Sequence, residues 1–373
     1  MPDCTPTRAW LAAWAAGAAS PGSIGSALTP FDLVAAARHE GVVVLVHWQL
    51  QQARREPGHS SMPEAVLQAF AVAARTDAMV SMLFEAESRS VLNAMTAAGI
   101  PGLLLKGSAL AYWAYSAPHL RACSDVDLLV PSREAAELLA GRLCHAGLQR
   151  SETSGDLVAY ELMCRRRISE ELQLEVDVHW RLANSPLFAD AFTFDELMAE
   201  SILLPRLGPL ARGLGLVHAC IHACVHRALN LSIGVDDKLK WLYDLEVLMA
   251  LFKPSDWQQL TALSISKGLA GVVLNALEVS ATTFGRELPG ALTTALRHAE
   301  LAEPLAARNL SDWRYMQRKT FKALPTVSLR LRWLCQRVFP SRDYLVCLYG
   351  GERRSYLALL AERFNRALQR VSN

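Results

Sequence analysis

The chain has 373 residues, is 51% hydrophobic and 20% charged, and carries a formal net charge of +2. This composition excludes a disordered or collagen-like chain, and the length predicts two or three packed units. The charge is unevenly spread, since residues 306–373 contain 14 Lys and Arg against 4 Asp and Glu. This basic stretch fits either solvated helix faces or a surface for an anionic substrate or membrane.

The cysteines and the apolar stretches bear on the compartment. Eight cysteines are scattered without a Cys-x-x-Cys pair, which is typical of a reduced, cytoplasmic protein. The apolar stretch over 10–19 follows a single arginine and precedes no clear cleavage site, so it predicts a short amphipathic helix rather than a signal peptide. No uncharged run reaches the roughly 18–20 residues of a membrane span. We expect a cytoplasmic protein without a transmembrane segment.

Helical periodicity dominates residues 1–88, which we predict to be an N-terminal helical region. Apolar residues recur at helical spacing over 31–37 and 65–84, and a loop rich in Arg, Pro and Ser over 54–63 separates the two stretches.

Residues 89–205 mix helical and strand patterns, and we predict that they form a small mixed β-sheet core. A helix over 86–98 should end at Gly99, before Pro101. The further elements expected are strands over 102–105, 126–130, 157–164 and 172–180, and helices over 108–116 and 134–146.

Residues 206–373 return to helical periodicity, interrupted by prolines at 254, 289, 325 and 340. They predict a C-terminal helical domain. The fold class expected is therefore α+β, with a small mixed sheet flanked by helical regions on both sides.

Two aspartates stand two residues apart in the apolar run Ser-Asp-Val-Asp-Leu-Leu-Val. Because side chains alternate across a strand, Asp125 and Asp127 should project from one face while Val126 and Leu128 enter the core. Adjacent carboxylates repel each other, and a divalent cation such as Mg²⁺ relieves the repulsion. Taken alone, the pair also fits a solvated strand end.

An apolar strand ends about 17 residues earlier in Lys106-Gly107-Ser108, and a helix should follow. Such a turn can bring backbone N–H groups to a phosphate, because glycine permits close approach. Lys106 would add a positive charge. A plain glycine turn between a strand and a helix explains the same residues.

A third carboxylate lies in the alternating segment 172–180. Gln173, Glu175, Asp177 and His179 fall on one face and apolar residues on the other. Asp177 could complete a metal site or accept a proton from an attacking hydroxyl. Glu175 and His179 also fit the polar face of an amphipathic strand.

Together these segments resemble the polymerase β-type nucleotidyltransferases, and more closely an uncharacterised nucleotidyltransferase family within that superfamily. The matching motifs are Leu105–Ala111, Arg121, Asp125–Val130 and Val176–Trp180. The likeness extends over most of the chain, including the later histidine helix and the Trp-Leu-x-Asp-Leu segment.

The resemblance implies catalytic and metal-binding roles for Asp125, Asp127 and Asp177. It implies two Mg²⁺ ions, or Mn²⁺, that clamp the attacking and leaving oxygens at the α-phosphate of a nucleoside triphosphate, expected to be ATP. It also implies nucleotide contacts, which we assign as follows: Lys106, Gly107, Ser108, Arg121, His179, His222 and Asp244.

Polar residues of the predicted C-terminal domain allow other interpretations. His218, His222 and His226 are four apart on a helix, a spacing that occurs in zinc sites, but no further ligand accompanies them. The sequence therefore favours a packed helix with hydrogen-bonded histidines over a zinc site. Lys240 and Asp244 are also four apart, which fits a surface ion pair.

We expect a metal-dependent transfer of a nucleoside monophosphate, AMP, to a hydroxyl or phosphate acceptor. The acceptor should be a small molecule, peptide or protein rather than nucleic acid, since no RNA-binding module is present. Two alternatives stay open. One is transfer of a different phosphoryl group at the same site, and the other is a catalytically silent nucleotide-binding or regulatory protein.

Overall fold

The computed structural model describes residues 6–17, 28–55, 62–151, 159–170, 172–350 and 354–372. The strands are β1 (Leu103–Leu104), β2 (Val126–Leu129), β3 (Gln149–Arg150), β4 (Glu161–Arg167), β5 (Gln173–His179), β6 (Ile202–Leu203) and β7 (Arg212–Gly213). The helices that precede β5 are α1 (Pro6–Ala15), α2 (Pro30–Glu40), α3 (Val43–Arg55), α4 (Glu64–Ala97), α5 (Lys106–Leu110) and α6 (Arg133–His145). The later helices are α7 (Phe194–Ala199), α8 (Leu216–Ser232), α9 (Leu239–Ala250), α10 (Pro254–Ser266), α11 (Ala270–Phe284), α12 (Gly290–Glu300), α13 (Trp313–Ala323), α14 (Val327–Val338), α15 (Arg342–Tyr349) and α16 (Tyr356–Ser372).

Local sequence signals set several helix ends. Thr29 and Asp32 form a reciprocal capping box at the start of α2, and Gly41 ends that helix in the left-handed conformation. Ser132 caps α6 by accepting a hydrogen bond from the Ala135 N–H. Pro254 occupies the first turn of α10, where its missing N–H costs nothing.

The strands form one mixed seven-stranded sheet in the order β3-β4-β5-β2-β1-β7-β6. The central pair, β2 and β5, is parallel, with Asp127 directly opposite Asp177. Strand β4 runs antiparallel to β5, with Glu161 opposite His179. This register places acidic residues of three adjacent strands on one face of the sheet.

The two faces of the sheet are covered by different helices. Val126, Leu128 and Val130 point towards α4 and α6, where they share a core with Met95 and Leu139. Leu103, Leu105 and Leu129 point the opposite way and pack against α8, α9 and α11. Asp127 alternates with Leu128, so its side chain lies on the second face, between the sheet and α8.

The α+β class predicted from the sequence is confirmed, with helical regions on both sides of a mixed sheet. Several elements differ in extent. The predicted helix over 108–116 is the five-residue α5, which starts at Lys106, and after Leu110 the chain turns so that Trp113 and Tyr115 pack into helical cores. The predicted strand over 157–164 appears as β4, and its positions 157 and 158 lie outside the described residues, as do 56–61 of the predicted loop.

Helix α4 is one continuous helix where two were predicted, over 65–84 and 86–98. No glycine or proline interrupts the stretch, and Phe70, Phe84 and Met95 are all buried along it. The helix runs unbroken through residue 88, and the predicted division into 1–88, 89–205 and 206–373 stays a prediction.

Among helices of the described residues, α4 alone has the length and apolar composition of a membrane span. Core helices pass the same test, and only 28% of its most apolar window is buried. The helix contacts α2, α3 and α6.

Candidate active site

The candidate site centres on Asp127 in β2, whose side chain is 1% exposed. Its Oδ1 accepts a hydrogen bond from Lys106 Nζ at 2.5 Å and lies 3.1 Å from His179 Nε2. Its Oδ2 is buried and has no hydrogen-bond partner among the described residues. One carboxylate oxygen is thus held by two partners and the other is left for a ligand.

Asp177 supplies a second carboxylate from the adjacent strand. Its Oδ1 is likewise buried and, within the described chain, unpartnered. Ligand atoms of Asp127, Asp177 and His179 all lie within 4.8 Å of one another. Two buried carboxylates this close together, each with an orphaned oxygen, fit a divalent cation, since buried charges are otherwise paired or bound to metal.

The pKa values of the two carboxylates shift in opposite directions from the ordinary value of an aspartate. Burial tends to raise the pKa of Asp127, but the charges and hydrogen bonds of Lys106 and His179 outweigh it, and the pKa falls well below its ordinary value. For Asp177, burial and the charges of Asp127 and Glu161 raise the pKa to about 7. The site concentrates negative charge beyond what Lys106 neutralises.

Asp125 lies just before β2. It does not belong to the group of ligand atoms within 4.8 Å of one another, whose third member beside Asp127 and Asp177 is His179. Burial and the nearby charge of Asp127 raise its pKa. Its hydrogen bond from Ser124 Oγ measures 3.3 Å. The sequence predicted three aspartates together, and the structure brings two of them to direct register with Asp125 beside them.

The Lys106-Gly107-Ser108 turn is built against the site. Lys106 has a φ of +50°, the left-handed region that non-glycine residues rarely adopt. Ser108 Oγ donates to the carbonyl of Leu105 at 2.7 Å and accepts from the Asp127 N–H at 3.3 Å. The Ser108 hydroxyl therefore fastens the turn to β2.

Gly107 makes room for Arg121. A Cβ at Gly107 would lie 2.8 Å from Arg121 Nη1 and 2.9 Å from its Cζ, which is too close for any side chain. In this structure the absence of a side chain at Gly107 lets the Arg121 guanidinium approach, and the predicted approach of a phosphate stays a prediction.

Arg121 and Asp244 contact each other. Arg121 donates from Nε and Nη2 to the two oxygens of Asp244, each at 2.7 Å, and both side chains are buried. The hydroxyl of Tyr115 also donates to Asp244, at 2.7 Å. This bidentate pair joins the loop before β2 to α9.

The three histidines of α8 occupy different surroundings. His218 packs edge-on against Phe192 at 5.0 Å, and His226 packs against Trp241 at 5.4 Å. In the described part of the chain, these histidines do not form a metal-ligating cluster. His222 is buried, and burial together with the charge of Lys106 lowers its pKa to about 3.

A narrow cavity separates α8 and α9 from the Lys106 turn. It holds about 20 Å³, room for about one water molecule and none for a nucleobase. Polar residues that the sequence analysis assigned to nucleotide binding share its wall: Lys106, Arg121, His222 and Asp244.

Sequence reasoning missed Glu161 of β4. Its Oε2 lies 3.1 Å from His179 Nδ1, although the ring nitrogen is not aligned for a hydrogen bond. Asn184 Nδ2 donates to Glu161 at 2.6 Å, and Asn184 Oδ1 accepts from the Tyr160 N–H. A carboxylate often orients a metal-binding histidine by accepting its second ring N–H, and Glu161 is the carboxylate that lies beside Nδ1 of His179. Only the β4–β5 register reveals the contact.

Comparison with known proteins agrees with this geometry. No curated protein matches the chain. A family model described as an uncharacterised nucleotidyltransferase matches residues 27–285, which include the sheet, the carboxylates and helices α8 to α11. Since that region is well over half of the 373 residues, the chain belongs to this uncharacterised nucleotidyltransferase family.

Proposed function

We propose that the protein transfers AMP from ATP to a hydroxyl or phosphate group of an acceptor, with a divalent cation at Asp127 and Asp177. The observation that carries the proposal is the pair of buried, unpartnered carboxylate oxygens on directly opposed residues of β2 and β5. Such an arrangement is costly without a cation, because two desolvated carboxylates repel each other.

The donor set fits Mg²⁺ or Mn²⁺. Both ions prefer carboxylate oxygens and leave positions for water and phosphates. Asp127 Oδ2 and Asp177 Oδ1 would hold the ion, with Asp125 as a further carboxylate nearby. When bound, the ion supplies charge neutralisation at the reacting phosphate.

Residues of the chain itself would position the reacting groups and neutralise the charge of the phosphates. Lys106 and His179 both engage Asp127 Oδ1 and so hold the carboxylate with Oδ2 directed away from them. The ammonium of Lys106 has further N–H groups that can donate to a phosphate oxygen. As the acceptor oxygen bonds to the α-phosphorus and pyrophosphate leaves, Asp177 would take the acceptor proton.

Two other functions use the same residues. One is transfer of the γ-phosphoryl or a pyrophosphoryl group, and the other is nucleotide binding without turnover. The buried oxygens Asp127 Oδ2 and Asp177 Oδ1, which have no partner among the described residues, favour a working metal site over silent binding, since a silent protein gains nothing from burying them.

Parallel incubations with ATP labelled at the α- or the γ-phosphate distinguish these functions, with fractionated cell extract as the source of acceptor. The proposal predicts a macromolecular or small-molecule product labelled from the α-position only, with release of pyrophosphate. Asp127→Asn should abolish labelling. The control is Glu175→Gln, which makes the same carboxylate-to-amide change two residues before Asp177 in β5 and should retain labelling. Product labelled from the γ-position, or ATP binding without product, would contradict the proposal.

A further inference from the structure

Helix α14 carries an apolar stripe that faces outward. Val327, Leu331, Leu334 and Val338 recur at helical spacing, and each is between 37% and 69% exposed. Phe339, at the end of the helix, is 60% exposed. The helix is about 18 Å long at 1.5 Å per residue. The stripe runs along this whole length, because its residues recur every three or four positions from the first residue of the helix to the last.

The opposite side of α14 packs against α13. Trp333 is buried, its ring lies 5.9 Å from that of Phe321 in α13, and Arg337 stacks over it at 4.0 Å. Arg330 lies over Phe321 at 5.8 Å. These contacts join α13 and α14 without using the stripe, so the packing seen among the described residues does not explain why the stripe is apolar.

The same two helices are strongly basic. Helix α13 contains four Lys and Arg and α14 contains three, and neither contains an acidic residue. Arg332 and Arg337 are exposed on α14, and Arg318 and Lys322 on α13. Both helices lie beyond residue 285, where the match to the family ends. This surface therefore lies outside the region that matches the nucleotidyltransferase family.

We propose that the α13–α14 surface docks on an anionic lipid bilayer. An apolar face on a helix whose remaining faces and neighbour are cationic is the pattern of helices that lie in a membrane interface, with the apolar face in the acyl boundary and the charges at the headgroups. The proposal concerns attachment and is independent of the reaction at Asp127.

The charge and shape of the surface disfavour other occupants. A second copy of the chain on this face would bring two sets of seven cations together, which like-charge repulsion opposes. A nucleic acid would satisfy the cations but would gain little from valine and leucine, which cannot stack on bases as aromatic rings do.

Vesicle flotation with the full-length protein tests the proposal. The protein should float with phosphatidylcholine vesicles that contain phosphatidylglycerol and remain behind with vesicles of phosphatidylcholine alone. Binding should weaken as salt is raised, because the headgroup attraction is screened. The double variant Leu331→Ser/Leu334→Ser and the separate variant Arg332→Glu should each lower the bound fraction at least several-fold.

Leu210→Ser is the matched control, since Leu210 is an exposed leucine between β6 and β7, outside both basic helices. It should bind vesicles like the wild type. All variants change exposed side chains and should keep the wild-type melting temperature. If the double variant does not fold, Arg332→Glu still tests the proposal, because it leaves the apolar stripe unchanged. Equal binding to both vesicle types, binding to neither, or loss of a dimer in the double variant by light scattering would overturn the proposal. Binding of RNA, but not of phosphatidylglycerol vesicles, by the wild-type protein would also overturn it.

Discussion

At the scale of single residues, the site depends on how the two oxygens of Asp127 are used. Lys106 and His179 converge on Oδ1, while Oδ2, like Asp177 Oδ1, is buried and unpartnered in the described structure. Two identical side chains on adjacent strands thereby acquire opposite pKa shifts, lowered for Asp127 and raised to about 7 for Asp177. Their surroundings, and not their residue type, set their roles.

Replacing Glu161 tests whether it positions His179. Glu161→Gln keeps the shape and the contact with Asn184 but removes the charge beside His179 Nδ1. We expect Mn²⁺ affinity, measured by electron paramagnetic resonance titration, to fall about tenfold or more, as changes in the residues behind metal ligands usually cause. Glu175→Gln is the control and should bind Mn²⁺ like the wild type. Unchanged Mn²⁺ affinity in Glu161→Gln would remove Glu161 from the site.

The fall in unfolding free energy at acid pH should depend on His222. Burial and Lys106 lower its pKa from 6.5 to about 3, so the folded state stays unprotonated there while the unfolded chain takes up a proton. Stability from this group is complete above pH 6.5 and is lost as the pH falls below it, by up to about 1.4 kcal/mol per pH unit. The unfolding free energy of His222→Asn, measured by urea titration, should therefore decline less steeply between pH 6.5 and pH 4.5. Parallel curves for the two proteins would contradict the burial of a neutral imidazole.

At the scale of elements, the buried Arg121–Asp244 pair joins the site loop to α9 across 123 positions of sequence. Tyr115 adds a hydrogen bond to Asp244, and Gly107 leaves space for the guanidinium. The C-terminal helices are thus anchored to the Lys106 turn by charge and by close packing. In the structure the two residues bind each other, and the predicted contact of each with a nucleotide stays a prediction.

Breaking this pair should cost stability. Asp244→Ala leaves a buried guanidinium without its partner, and we expect the unfolding free energy to fall by about 3–5 kcal/mol. The double variant Arg121→Met/Asp244→Leu removes both charges and should recover most of the loss. Urea denaturation of the three proteins measures both effects. A loss under about 1 kcal/mol in Asp244→Ala would show that the pair is not a structural anchor.

Sequence patterns predicted the elements better than their contacts. Alternation over 172–180 placed Asp177 and His179 on one face, and the paired-aspartate run gave a strand, as the structure confirms. Alternation cannot reveal which strands pair, so Glu161 beside His179 was not foreseen. The left-handed Lys106, the reason for Gly107 and the Arg121–Asp244 pair likewise depend on distant chain segments meeting.

At the scale of the whole molecule, two surfaces have distinct characters. The region matched by the family, 27–285, holds the carboxylate site between the sheet and α8. The later helices α13 and α14 hold a basic, partly apolar surface outside that region. The sequence predicted the charge imbalance but not the exposure of the stripe, because exposure depends on which face of α14 packs against α13.

The proposed function requires a cation-dependent nucleotide site at Asp127 and Asp177. Isothermal titration calorimetry of ATP, with and without Mg²⁺, tests it directly in the wild type, Asp127→Asn, Asp177→Asn and the control Glu175→Gln. We predict that Mg²⁺ strengthens ATP binding at least tenfold, about 1.4 kcal/mol, in the wild type and the control only, while all four proteins keep their circular dichroism spectra. ATP binding of equal strength in all four, with or without Mg²⁺, would contradict it.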